Sequence, residues 1–120
     1  MEIVVNKNDL LYGVNTVNKA VPSRTTIPIL ECILFKAQDG RITALASDLE
    51  ITIKTIIDGE IKEQGTSAIY AKMLSELVRR LPDGEKVNID VDEDVALIKC
   101  KKVKANIPCK DEHSTRKRRM

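Results

Sequence analysis

A chain of 120 residues with 20 basic and 18 acidic side chains, one phenylalanine, two tyrosines and no tryptophan has room for one domain, whose core must come from isoleucine, leucine and valine. No apolar run nears the roughly 20 residues of a membrane span, and the start MEIVVNKNDLL lacks a signal peptide's basic leader and apolar stretch, so a cytoplasmic protein with no membrane partner is expected. The net charge of +2 is split: residues 1–98 hold 11 basic and 16 acidic side chains, residues 99–120 hold 9 and 2, which excludes a uniformly basic nucleic-acid binder and leaves any polyanion contact to local charge placement.

Met1–Val5 reads as a short apolar strand. Leu10, Val14, Val17 and Val21 then recur at helical spacing as one stripe; Asn6 or Asn8 can cap that helix, and Pro22 ends it. A loop through VPSRTTIPIL leads to three strand-like runs, Leu30–Ala37, Ile42–Ser47 and Leu49–Ile57, with Asp39-Gly40 as a hairpin turn. In the last run Ile51, Ile53 and Thr55 alternate with Thr52, Lys54 and Ile56, as in a half-buried strand. Asp58-Gly59 and Gln64-Gly65 read as turns. Thr66–Tyr70 is a strand and Lys72–Leu81 a short helix with Met73, Leu74, Leu77 and Leu81 on one side. Leu81-Pro82-Asp83-Gly84 closes it, and Val87–Val91, Val95–Cys100 and Val103–Ile107 are three more strands. Strand, helix and three strands thus occur twice, which predicts an α+β domain of two related β-α-β-β-β halves with two helices packed on antiparallel sheets.

Few residues suggest chemistry. Cys32, Cys100 and Cys109 have no metal-ligand spacing, and the single histidine, His113, lies in a charged tail, so neither a zinc site nor any other cofactor is expected. Asp90, Asp92, Glu93 and Asp94 form an acidic cluster whose residue types could bind a divalent cation, but it falls at a hairpin tip, where charged residues are commonplace. There is no glycine-rich phosphate loop and no nucleophile motif, which points to a protein that is not an enzyme. Opposite the first apolar stripe lie Asn8, Tyr12, Asn15, Thr16 and Lys19; opposite the second lie Lys72, Ser75 and Arg79, with Glu76 and Arg80 on the shoulders. These faces are neutral to basic on an acidic body. They suit either plain solvation or contact with phosphates without base reading.

Arg24-Thr-Thr-Ile-Pro-Ile-Leu30, Ala46-Ser-Asp-Leu-Glu50 and Leu81-Pro-Asp-Gly-Glu85, in that order behind MEIVVNKNDLLYGVNTVNKAV, resemble the N-terminal domain of the bacterial DNA polymerase sliding clamp, the β subunit of polymerase III, over about residues 1–108. The resemblance implies a DNA-clamp fold and a processivity factor that surrounds or contacts duplex DNA and tethers the replicative polymerase. It implies clamp loader and polymerase partners for the full-length family, and pairing with other clamp domains or copies through edge strands. Carried over by position, Arg24, Lys72 and Arg79 match basic residues near the DNA, and Lys19 joins them on helix geometry. Thr26, Pro28, Asp48, Leu49 and Glu50 are read as structural, with Asp48 capping a tight turn.

The sequence departs from the family near its end. Ala105 stands where a phenylalanine is usual, and Lys101 and Cys109 stand where glycines are usual, in a strand near the edge for the neighbouring subunit. The missing aromatic would cost that contact roughly 1.5–3 kcal/mol if fully buried, which favours the alternative of a truncated remnant that forms no ring and only self-associates or pairs with a full clamp subunit. Residues 109–120 read as a charged, disordered tail, either the out-of-frame end of a truncated gene or a basic segment that grips DNA.

Overall fold

The computed structural model describes residues 1–110. Strand β1 (Glu2–Asn6) runs into helix α1 (Lys7–Asn18), and a 3-10 turn (Pro28–Glu31) leads to β2 (Cys32–Gln38), β3 (Arg41–Ser47), β4 (Thr52–Ile57) and β5 (Gly59–Glu63). Strand β6 (Gly65–Tyr70) and helix α2 (Ala71–Arg80) follow, then β7 (Lys86–Asp92), β8 (Val95–Cys100) and β9 (Val103–Lys110). All nine strands form one antiparallel sheet in the order β4-β3-β2-β6-β9-β8-β7-β1-β5. The expected α+β class holds, as does the doubled plan.

The halves interlock rather than sit side by side. Strand β1 pairs with β7 of the second half, with Val5 opposite Val87, and β6 pairs with β2 of the first, with Ile69 opposite Ile33. Each half therefore completes the other's sheet. The sheet ends, β4 and β5, are consecutive in the chain and separated only by Asp58. Ile57 pairs with Ile42 on β3 and Gly59 with Val5 on β1, so one strand changes partner at Asp58 and joins the two ends. Glycine is needed there for close approach: a Cβ on Gly59 would lie 2.5 Å from Val5 Cγ1 and 2.7 Å from the Val4 carbonyl oxygen.

Strand β5 is the element that the sequence pattern hides. Its five residues hold one large apolar side chain, Ile61, between two turn signals, so no alternation marks it. Pairing with β1 supplies the backbone hydrogen bonds, and Ile61 packs against the core.

Inside the sheet, Leu10, Val14 and Val17 of α1 are fully buried with Ile3, Ile33, Phe35, Ile42, Ile69, Ile89 and Ile98. Each such side chain contributes about 1.5–3 kcal/mol on burial. Asn6 caps α1, its side chain accepting from Asn8 N–H at 2.9 Å. The turn after α2 docks on this same helix start. Lys7 N–H donates to the Glu85 carbonyl (2.8 Å), Gly84 N–H to Asn8 Oδ1 (3.2 Å), and the buried Lys7 ammonium pairs with Asp83. The Leu81–Glu85 motif thus serves as a clasp between the halves.

Helix α2 is rotated from the expected orientation. Its buried side is Ala71, Leu74, Ser75 and Val78, whereas Met73 is 46% exposed and Leu77 is half-buried. A small serine takes one of these buried places, which the apolar count alone would not favour. The segment read as the start of β2 forms the 3-10 turn instead, because Pro28 fixes the first backbone angle of that turn and offers no N–H to a ladder. At the other end, β9 continues past Ile107: Cys109 is buried and pairs with Ile69. Residues 111–120, most of the expected charged tail with His113, lie outside the described residues.

Candidate nucleic-acid interface

Helices α1 and α2 pack side by side, and the space between the end of α1 and the outer side of α2 is a groove of about 550 Å³. Asn18, Val21, Pro22 and Ser23 form one wall, and Lys72, Met73, Ser75 and Arg79 the other, with Tyr70 and Glu31 completing it. Lys72 and Arg79, seven residues apart, fall on one helix side because two turns of an α-helix take about 7 residues. Both are exposed. Arg79 is laid back along the helix, its Nε–H donating to the Ser75 carbonyl at 3.3 Å.

Of the four basic residues singled out by sequence, the structure gathers Lys72 and Arg79 into this groove. Lys19 and Arg24 are exposed and do not line it, but their chain neighbours Asn18 and Ser23 do. Among the described residues, ion pairs involve Lys7, Lys101 and the N-terminal ammonium and none of these four cations. Sequence reasoning missed Asn18, Ser23, Tyr70 and Glu31, which are ordinary loop and cap residues until the fold brings them together. It also placed Ser75 on the solvent face, and the structure buries it. Glu31 puts one carboxylate on the groove, so the wall is not uniformly cationic.

Nothing near the groove resembles a catalytic centre. Among the described residues no group of histidine, cysteine and carboxylate side chains could hold a metal ion, and no helix is long and apolar enough to cross a membrane. Burial pushes the Cys100 thiol up from its ordinary value, and the Glu85 carboxylate adds to the shift, so this sulfur stays protonated and unreactive at neutral pH. Lone cations on a helix pair, a groove open to solvent and an absence of base-reading geometry suit a polyanion backbone held by charge.

The family model that matches, over residues 1–113, is that of the DNA polymerase III beta subunit, N-terminal domain. The beta sliding clamp of Halalkalibacterium halodurans is 38% identical over 93 residues, 71% of this chain and 24% of that protein. A solved chain from Eubacterium rectale, assigned as a DNA polymerase III beta subunit, superposes with a TM-score of 0.89 at 49% identity over 92% of this chain and 30% of its own length. The pol III beta of Caulobacter crescentus gives a TM-score of 0.88 at 31% identity, over 93% of this chain and 31% of that one. The chain thus spans about a quarter of the curated relative and under a third of each solved chain.

Proposed function

The chain belongs to the DNA polymerase III β subunit family, matched through its N-terminal domain, and from that premise we propose that it is a non-catalytic clamp domain whose helix side meets duplex DNA without reading sequence. The observation that carries this reading is the pair of unneutralised cations, Lys72 and Arg79, on one groove between the two helices. Arg24 and Lys19, both exposed after the end of α1, are assigned to the same contact. Contacts of this kind hold phosphates weakly and exchange readily, as a sliding contact must. The reading includes a cytoplasmic location and, in assemblies that supply the remainder of a clamp, tethering of the replicative polymerase and loading by a clamp loader.

Binding of a fluorescein-labelled duplex, followed by anisotropy across a salt series, tests it. Lys72→Gln with Arg79→Gln should weaken binding to unrelated duplexes equally and reduce the salt slope by about 1 for each phosphate no longer neutralised. Arg24→Gln and Lys19→Gln should act in the same direction. An unchanged salt slope in the double variant would remove the groove from the interface.

A second reading has its own observation. Among the described residues, strand β4 ends the sheet, and β9 from Val103 to Ile107 has β8 on one side only. Open edges invite strand pairing with another copy or a clamp subunit, and Ala105 offers such a partner little apolar area. Sedimentation of the purified chain separates the readings: a concentration-independent monomer removes the self-associating remnant, and a discrete oligomer supports it.

A further inference from the structure

The face of β2, β3 and β4 turned away from the helices carries a cationic cluster that the duplex-facing reading does not use. Cross-strand register places Lys36 opposite Thr43, Leu34 opposite Leu45, and Gln38 opposite Arg41, with Lys54 opposite Leu45 and Ile56 opposite Thr43 on the next strand. Strand spacing and rise put the Lys36 and Arg41 backbones about 8 Å apart and those of Lys36 and Lys54 about 12 Å apart. The three cations are exposed and, among the described residues, none is in an ion pair. They surround a shallow cleft of about 490 Å³ floored by Leu34, Leu45 and Thr43, with Gln38 and the single carboxylate Asp39 at its hairpin end, so cations outnumber acids three to one along it.

The fold does not require this charge. In the second half β7 pairs with β1 as β2 pairs with β6, and the register puts Asp90 where Lys36 sits and Val95 where Arg41 sits. The same backbone therefore accepts an acid at the centre of the patch. Nor does the floor suit single-stranded nucleic acid. The aromatics of the chain are Tyr12 on α1, the fully buried Phe35 and Tyr70 beside α2, so this face has no platform for stacking a base. It offers aliphatic floor between cations, with Ile56 59% exposed at its margin.

We infer that this outer sheet face is a docking surface for an acidic protein segment that carries aliphatic side chains. In an extended segment, side chains two residues apart project to the same side about 6.8 Å apart, so carboxylates four residues apart, about 13.6 Å, can reach cations on opposite sides of the patch while the aliphatic side chain midway between them, on the same side, rests on Leu34 and Leu45. The inference is independent of the duplex interface, which lies on the helix side.

Anisotropy of the full chain with a short fluorescein-labelled peptide of glutamates interspersed with leucines tests it. An oligoglutamate of equal charge and a labelled duplex serve as competing probes. The mixed peptide should bind several-fold more tightly than oligoglutamate. Combined Lys36→Glu, Arg41→Glu and Lys54→Glu should weaken it at least about tenfold, from the loss of three exposed charge pairings, and weaken duplex binding far less, through the change in overall charge alone. The combined glutamine variant, which introduces no repulsion, should give a smaller loss of the same sign and serves if the reversed variant fails to fold. Absence of peptide binding, equal or tighter binding of oligoglutamate, or loss of duplex affinity in step with peptide affinity would each overturn the inference. So would a self-association of the wild type that the same substitutions abolish, because the face would then serve a second copy.

Discussion

Lys36 on β2 and Asp90 on β7 hold equivalent places in the two halves, and so do Phe35 and Ile89 one residue earlier. Inside the sheet the two halves keep apolar pairs at matching rungs. Phe35 lies opposite Ala44, and at the matching rung Ile89 lies opposite Ile98; Ala37 faces Ile42, and Val91 faces Ala96. Three of these four pairs set a larger residue against an alanine and the fourth sets isoleucine against isoleucine, so sizes vary from half to half while every rung stays apolar, as a close-packed interior requires. Outside there is no such constraint. The first half turns Lys36, Arg41 and Lys54 to solvent, while the matching positions of the second are Asp90, Val95 and Lys104. The interior of a duplicated fold records packing, and its exterior is where the halves are free to take different partners.

Removing the packed rung should have the largest effect on that comparison. Phe35→Ala should cost about 3–5 kcal/mol and Ile89→Ala about 2–5 kcal/mol, from lost burial plus the residual cavity. Because β1 and β6 are exchanged between the halves, both variants should unfold in one transition by fluorescence-independent probes such as far-ultraviolet dichroism and calorimetry. A populated intermediate in either variant would mean that the halves fold as separate units and that the strand exchange does not bind them together.

The corner where a strand changes partner gives a sharper contrast. Gly59, paired with Val5, corresponds to Cys109, paired with Ile69, and the second corner accommodates a buried side chain where the first does not. Gly59→Ala should destabilise by about 1–3 kcal/mol, since one of its clashes is with a backbone carbonyl that cannot swing aside. Cys109→Ala should cost about 1 kcal/mol, as a small buried deletion. Denaturant midpoints at constant slope would rank them; equal costs would mean that the first corner is as roomy as the second. On the outer face, Lys36→Asp copies the second half's residue and should shift stability by no more than about 0.5 kcal/mol.

The sequence made the α1 stripe, the Asp39-Gly40 turn and the doubled order of elements legible because each has a local physical signal: 3.6-residue spacing, a turn dipeptide, alternation. The hairpin turn bears this out, with φ of 54° at Asp39 and 74° at Gly40. Strand β5 was not legible, since it exists through a partner at the far start of the chain, Gly59 lying opposite Val5, rather than through its own pattern. The rotation of α2 was hidden for a related reason: Ser75 is buried by tertiary packing, and propensity does not report packing. Of the candidate site, Lys72 and Arg79 could be placed on one helix side from spacing, but the groove's other wall comes from the loop after α1. The outer cationic face stayed unread because Lys36, Arg41 and Lys54 lie on three strands and meet only through register.

The turns between the last two strands of each half differ in how they are held, and pH should separate them. In the first half Asp48 accepts from Ile51 N–H at 2.9 Å and Glu50 N–H at 3.0 Å, which holds the intervening Leu49 at φ 85°, an orientation unfavourable for a branched side chain. In the second half the β8–β9 link is the short turn at Lys101, with φ 54°, where the Glu85 carboxylate meets the Lys101 ammonium at 3.6 Å instead of accepting from backbone N–H groups of the turn. The Ile51 and then the Glu50 backbone N–H groups hold the Asp48 carboxyl below its ordinary 3.8. A depressed carboxyl stabilises the fold above its unfolded value, and that contribution is lost as pH falls through the folded value. The β3–β4 turn should therefore loosen below about pH 4, seen as faster amide exchange at Glu50 and Ile51, while exchange at the β8–β9 turn keeps its ordinary pH dependence. Asp48→Asn keeps an acceptor but no titrating charge, so it should remove the acid-dependent step. At neutral pH it should lower the melting temperature only slightly, because the turn is solvent-exposed. If both turns loosen together in the wild type, the acid response belongs to the whole sheet and the carboxylate is not what distinguishes the first half's turn from the second's.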